Sequence, residues 1–198
     1  MSLWGASDSD ESKPKNLTTA EKKQVFANAS GWVLEAGSAL SGNDNTDADP
    51  EVLVAIGELS TSIGAADITE VEMVTTTADK SEGFTISVRV RYNEPVDVVT
   101  TGGTPTLAVT NDNSGTGSGR GPHSLSYASG TGTNELIFSL AIAAANAATN
   151  ADDVLSVGAQ TIALNSGTIK DASGTASDAA LVISGAVGTA AGTVTVTA

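Results

Sequence analysis

The chain has 198 residues, enough for one domain with appendages or two small ones. Its 23 acidic and 9 basic residues leave a formal charge of −14, which disfavours nucleic acid and anionic membrane as partners. With no cysteine there is no disulfide, thiolate nucleophile or zinc-thiolate site, and no run approaches the ~20 apolar residues of a membrane span.

Residues 1–67 differ in composition from the rest. Both tryptophans, Trp4 and Trp32, and four of the six lysines, Lys13, Lys15, Lys22 and Lys23, lie here. The start lacks the cationic stretch and apolar core of a signal peptide, so cytoplasmic synthesis and assembly are expected. Residues 5–16 are polar and read as an extended arm. Thr18-Thr-Ala-Glu21 has capping-box spacing and predicts a short helix over about 19–27. Gly31–Glu35 and Glu51–Ile56 predict two strands, separated by the polar loop 41–50. So small a unit is expected to pack on the following domain or on a partner.

Residues 68–198 read as strand after strand. Phe84, Ile86, Val88, Val90 and Tyr92 alternate with Thr85, Ser87, Arg89 and Arg91, a period of two. Val71 and Met73 alternate with Glu70 and Glu72, which predicts residues 69–77 as the antiparallel neighbour of 84–92. In that register Glu70 stands opposite Arg91 and Glu72 opposite Arg89 on an outer face, while Val71 and Met73 meet Val90 and Val88 inside. Leu107 and Val109 mark another strand. Tyr127-Ala-Ser-Gly-Thr-Gly-Thr-Asn-Glu-Leu-Ile-Phe-Ser-Leu-Ala-Ile142 reads as a glycine-rich turn, then a strand with Leu136, Phe138, Leu140 and Ile142 on one face. Segments 153–164, 167–171, 179–184 and 192–197 complete the set, and the alanine-rich 143–151 reads as a connecting loop. About seven short strands in ~130 residues suit a sandwich.

Four segments in this order, Arg91-Tyr-Asn-Glu-Pro-Val96, Gly103-Thr-Pro-Thr-Leu-Ala-Val109, the Tyr127–Ile142 stretch and Leu164–Gly174, resemble the immunoglobulin-like repeat of bacterial adhesins and tailed-phage particles. The resemblance covers residues 68–198. It implies an antiparallel β-sandwich used for display and contact, with no catalytic residues to carry over. In the first part, Met1-Ser-Leu-Trp-Gly-Ala-Ser-Asp, Lys13-Pro-Lys, Leu17-Thr-Thr-Ala-Glu-Lys-Lys, Gly31-Trp-Val-Leu and Glu51–Ile56 resemble the N-termini of small virion structural proteins from T4-like phages of cyanobacteria.

Residues that could carry chemistry are few. The one histidine, His123, lies in Arg120-Gly-Pro-His-Ser124, which reads as a solvated turn, and no Gly-x-Ser-x-Gly elbow accompanies it. Gly115-Thr-Gly-Ser-Gly-Arg-Gly121 lacks the helix and Lys-Ser/Thr ending of a phosphate loop and reads as a hairpin tip. Calcium is the one cofactor to weigh, at Asp44, Asp47 and Asp49 or at Asp152-Asp153 after Asn150. The first set lacks the turn glycine and distal glutamate of the helix-loop-helix site, and solvated acidic loops are common in acidic proteins. The best contact candidates are Trp4, Lys13, Lys15, Lys22 and Lys23, an aromatic and basic set in an acidic molecule.

The expected protein is mainly β: an N-terminal attachment segment, 1–67, with a short helix and two strands, then an immunoglobulin-like sandwich, 68–198. The resemblances imply a non-enzymatic virion structural protein, foremost a capsid decoration protein. Its partner would be the major capsid protein or another virion protein, with the host cell surface as a further contact. A neck, baseplate or tail-fibre component, or a bacterial surface adhesin module, are the alternatives. A carbohydrate-binding module is disfavoured because the sandwich lacks tryptophan.

Overall fold

A computed structural model describes residues 14, 16–61, 63–113, 122–172 and 176–198. The described chain is mainly β, built from antiparallel sheets, with buried apolar residues in two clusters.

The smaller cluster belongs to a three-stranded sheet of β1 (Val25–Asn28), β2 (Gly31–Leu34) and β3 (Glu51–Ala55), in that order. The helix expected over 19–27 is corrected to a single 3₁₀ turn, Glu21–Gln24, running straight into β1. The capping-box contacts do form: Thr18 N donates to Glu21 Oε2 at 2.7 Å, and Glu21 N donates to Thr18 Oγ1 at 3.3 Å. Propagation fails because Val25 and Ala27 alternate with Phe26 and Asn28 and find a ladder partner in β2, which outweighs one turn of helix. Val25, Ala27, Trp32, Leu34 and Leu59 are buried together. Gly31 makes this sheet possible: its φ is +129°, and a Cβ there would sit 2.0 Å from the Val54 carbonyl oxygen. The two expected strands and the loop between them are found.

The larger sheet is a path of strands in which β4 (Ile68–Met73) and β12 (Thr168–Asp171) both flank β6 (Phe84–Val99). From β6 the order runs through β9 (Thr133–Ile142), β8 (His123–Ser129), β7 (Thr106–Asn113), β10 (Asp153–Ser156) and β14 (Thr193–Thr197). It ends at β5 (Ala78–Asp79), which pairs with β14 in parallel. A two-stranded piece, β11 (Gln160–Thr161) with β13 (Val182–Ile183), and a short helix, α1 (Gly185–Ala190), lie beside it. The sequence did not suggest α1; Ser184 caps it by accepting from Val187 N. The expected strand 69–77 is shorter: β4 stops at Met73 and Ala78–Asp79 joins β14 instead.

β6 organises the fold. Its first half pairs with β9 on one side and β4 on the other, and its last four residues pair with β12. The ladder to β9 breaks between Arg91 and Val96, where Pro95 supplies no N–H. On its inner face Ile86, Val88, Val90 and Tyr92 are fully buried against Leu107, Leu125, Leu136, Phe138 and Leu155. Each such side chain contributes on the order of 1.5–3 kcal/mol. Gly130 shapes the turn before β9: its φ is +112°, and a Cβ would lie 1.9 Å from the Glu135 carbonyl oxygen. Tyr127 crosses Phe138 edge to face at 6.1 Å, and its hydroxyl accepts from Thr131 N at 2.8 Å.

Candidate functional site

The register expected for β4 and β6 is found: Glu70 opposite Arg91, Val71 opposite Val90, Glu72 opposite Arg89, Met73 opposite Val88. The expectation that this charged face points to solvent is corrected. The N-terminal sheet lies over it, and the Arg91 side chain is only 9% exposed.

Alternation along β6 and β9 puts Arg89, Arg91 and Glu135 on the face opposite the core, and β4 adds Glu70 and Glu72. Arg91 is the hub. Its Nε and Nη2 both donate to Glu135 Oε1, at 2.9 and 2.6 Å, and Nη1 donates to Glu70 Oε2 at 2.5 Å. The N-terminal segment supplies the remaining acceptors: the Lys23 carbonyl receives Nη1 at 2.8 Å, and Glu35 Oε2 lies 2.9 Å from Nη2. Lys23 Nζ reaches Glu70 Oε1 at 3.3 Å. Arg89 pairs with Glu72 and lies 3.5 Å from Glu135.

Three carboxylates around one guanidinium strain the charge balance. Burial pushes the Glu35 carboxyl up to about 7, against the pull of Arg91 and with help from a hydrogen bond to Glu135. Burial works the same way on Glu135, but the hydrogen bond from Glu35 and the Arg91 guanidinium outweigh it and hold that group low. Glu35 is therefore the member of the pair in which burial prevails and favours the protonated form. The joint clamps the N-terminal segment to the sheet.

Two hollows of about 520 and 510 Å³ flank the clamp. The first is lined by Phe26, Glu35, Thr46, Asn134 and Glu135, among others. The second is lined by Lys22, Lys23, Trp32, Asn93 and Val182, among others. Of the candidate contact residues, Lys22 and Lys23 thus share one hollow, with Lys23 also engaged to Glu70. Trp4, Lys13 and Lys15 lie outside the described residues, as does the glycine-rich 115–121.

His123 is corrected from a solvated turn residue to a buried one at the start of β8. Asn111 Nδ2, 2.6 Å from the Ala148 carbonyl, is a donor and also meets His123 Nε2 at 3.3 Å, so Nε2 accepts. Thr149 Oγ1 lies 3.1 Å from the same nitrogen. Burial lowers the imidazole's pKa, partly opposed by Asp153. Thr149, His123 and Asp153 match a nucleophile, base and acid in residue type alone, and all three are buried. The cluster ties loop 144–152 to β7 and β8.

The acidic residues weighed for calcium do not gather. Asp44, Asp47 and Asp49 are exposed, in a loop held by side-chain-to-backbone bonds such as Asn45 N to Asn43 Oδ1 at 3.1 Å. Asp153 is buried, and its Oδ2 accepts from Asn150 N at 2.7 Å. Among the described residues no three His, Cys, Asp or Glu side chains group as a metal site requires.

Nothing local in the sequence marks Glu35 as a partner of Arg91 and Glu135, which lie far along the chain. The exposed apolar edge of β3 was missed as well, although its run of aliphatic residues was visible. No protein-family model matches the chain, and neither the curated proteins nor the solved structures include a significant match.

Proposed function

We propose that this is a non-enzymatic structural protein of a phage virion, foremost a decoration protein on the outer capsid face. In this reading the N-terminal segment holds the shell, and an immunoglobulin-like sandwich formed by residues 68–198 projects from it. The observation that carries the reading is the build of residues 16–61. They form their own small sheet with its own apolar cluster, clamped at one side of the larger β body by Lys23, Glu35 and Arg91. A clamped small unit with an outward strand suits attachment better than catalysis. The sandwich is supported by β6, which pairs with β4 in its first half and with β12 over its last four residues, and by the alternating core of β6 to β9. The resemblance of the N-terminal motifs to cyanophage virion proteins supplies the setting. The partners are then the major capsid protein or another virion protein, the location is the virion, and nucleic acid and membrane are disfavoured by charge.

Mass spectrometry of purified particles tests this directly. Hundreds of copies per particle are expected for a decoration protein, a handful would assign it to neck, baseplate or tail, and absence would sink the virion reading. Removing residues 1–63 should leave a soluble, folded body, because the main cluster draws on no residue before Ala66. That body should no longer join particles. Normal decoration by the truncated protein would overturn the attachment role.

A further inference from the structure

The inner side of the N-terminal sheet is committed to the body of the protein through Lys23, Glu35 and Arg91. Its other margin is β3, which pairs only with β2 among the described strands. An edge strand presents unpaired backbone donors and acceptors to any chain that can align with them. Such edges are ordinarily blunted with lysine or proline, and Glu51-Val-Leu-Val-Ala-Ile56 contains neither. Val52 is 50% and Leu53 38% exposed, two adjacent aliphatic side chains facing water. The ladder to β2 shifts register between Trp32 and Val33, which leaves Leu53 as the extra residue of a bulge with no partner in β2.

The surroundings say what chemistry fits. Asp44, Asp47 and Asp49 lead into β3, Glu51 opens it and Glu58 follows it, while no lysine or arginine occurs anywhere between Lys23 and Lys80. The strand is an apolar edge in an acidic frame. A second copy of this chain, itself at −14, would bring acidic ends against acidic ends in a symmetric antiparallel pairing.

We propose that β3 is a docking edge for β-strand addition by another protein, whose added strand is apolar at its centre and lysine- or arginine-flanked. Backbone pairing supplies the register, Val52 and Leu53 the apolar contact, and the acidic frame the choice of partner. This deepens the attachment reading by naming the surface that makes the contact, but it holds for any partner of that chemistry.

The test uses the full chain, labelled for amide NMR, and two synthetic peptides of alternating valine and threonine, one ending in lysines and the other in glutamates. The lysine-ended peptide should shift the amides of Val52–Ala55 and slow their exchange with solvent, and the glutamate-ended one should bind at least about tenfold more weakly. Leu53→Lys should abolish the effect while leaving the thermal melt and the β6–β9 amides unchanged. No shift with either peptide, shifts away from β3, or equal binding of both would overturn the proposal. Concentration-dependent dimers removed by Leu53→Lys would also overturn it, by making a second copy the occupant. Absence of the protein from particles would defeat the virion reading and leave the peptide result standing.

Discussion

Arg91 stands opposite Glu70 across the β4–β6 pair, and its Nη1 lies 2.5 Å from Glu70 Oε2 beneath the N-terminal sheet. Two residues away Arg89 makes the equivalent pairing with Glu72 and is half-buried, with 31% of its side chain exposed. The same cross-strand pairing therefore occurs twice in one register at two levels of burial. Burial is what separates their energetic weight.

Arg91→Ala should cost roughly 3 kcal/mol of stability, because it leaves Glu35, Glu70 and Glu135 crowded without their shared cation. Arg89→Ala should cost under about 1 kcal/mol, as exposed pairs do. Urea denaturation of the two variants measures both. Equal losses would mean that the N-terminal sheet does not shield Arg91.

The clamp should loosen as the pH rises towards neutrality. The Glu35 carboxyl is raised from 4.5 to about 7, so its contribution is fully present below 4.5 and is lost as pH rises through about 7. Ionisation there adds a second negative charge beside Glu135. Thermal melts should show the native protein losing stability relative to Glu35→Gln as the pH rises from about 4.5 to about 7, with no further loss above that. Parallel curves would show that Glu35 is ionised throughout.

His123 has the opposite sign. Its pKa is lowered from 6.5, so the stability it contributes is present above 6.5 and falls away as pH drops below it. Protonated Nε2 can no longer accept from Asn111 or Thr149. Amide protection factors, which allow for the intrinsic slowing of exchange in acid, should fall in residues 144–152 before they fall in β6 and β9. A uniform fall over the whole chain would rule out this local role.

Gly31→Ala should unfold the N-terminal sheet selectively, since the new methyl would meet the Val54 carbonyl at an unfavourable φ. Amide protection should vanish over 25–34 and 51–55 and persist over 84–92 and 133–142. Loss of protection everywhere would show that the two apolar clusters stand or fall together.

Much of this architecture is written in local alternation. The period of two over 84–92 and 70–73 determined which residues face the core, and with it the Glu70–Arg91 and Glu72–Arg89 register, because a slip of one residue would have buried the charges and exposed the valines. Strands β2 and β3 and the turn before β9 were equally legible from aliphatic runs and glycines. Tertiary structure decided the rest. Thr18–Glu21 carries a helix start that is truly formed, yet Val25–Asn28 became a strand because β2 offered it a ladder. His123 looked solvated among glycine and proline, yet it is buried because loop 144–152 folds back and Thr149 reaches it. Arg91 looked outward-facing, and by the pleat of β6 it is; only the packing of a sheet from far upstream in the chain turned that face into an interior. Alternation says which face a side chain takes. What comes to lie over that face depends on contacts between distant segments, and no local period encodes them.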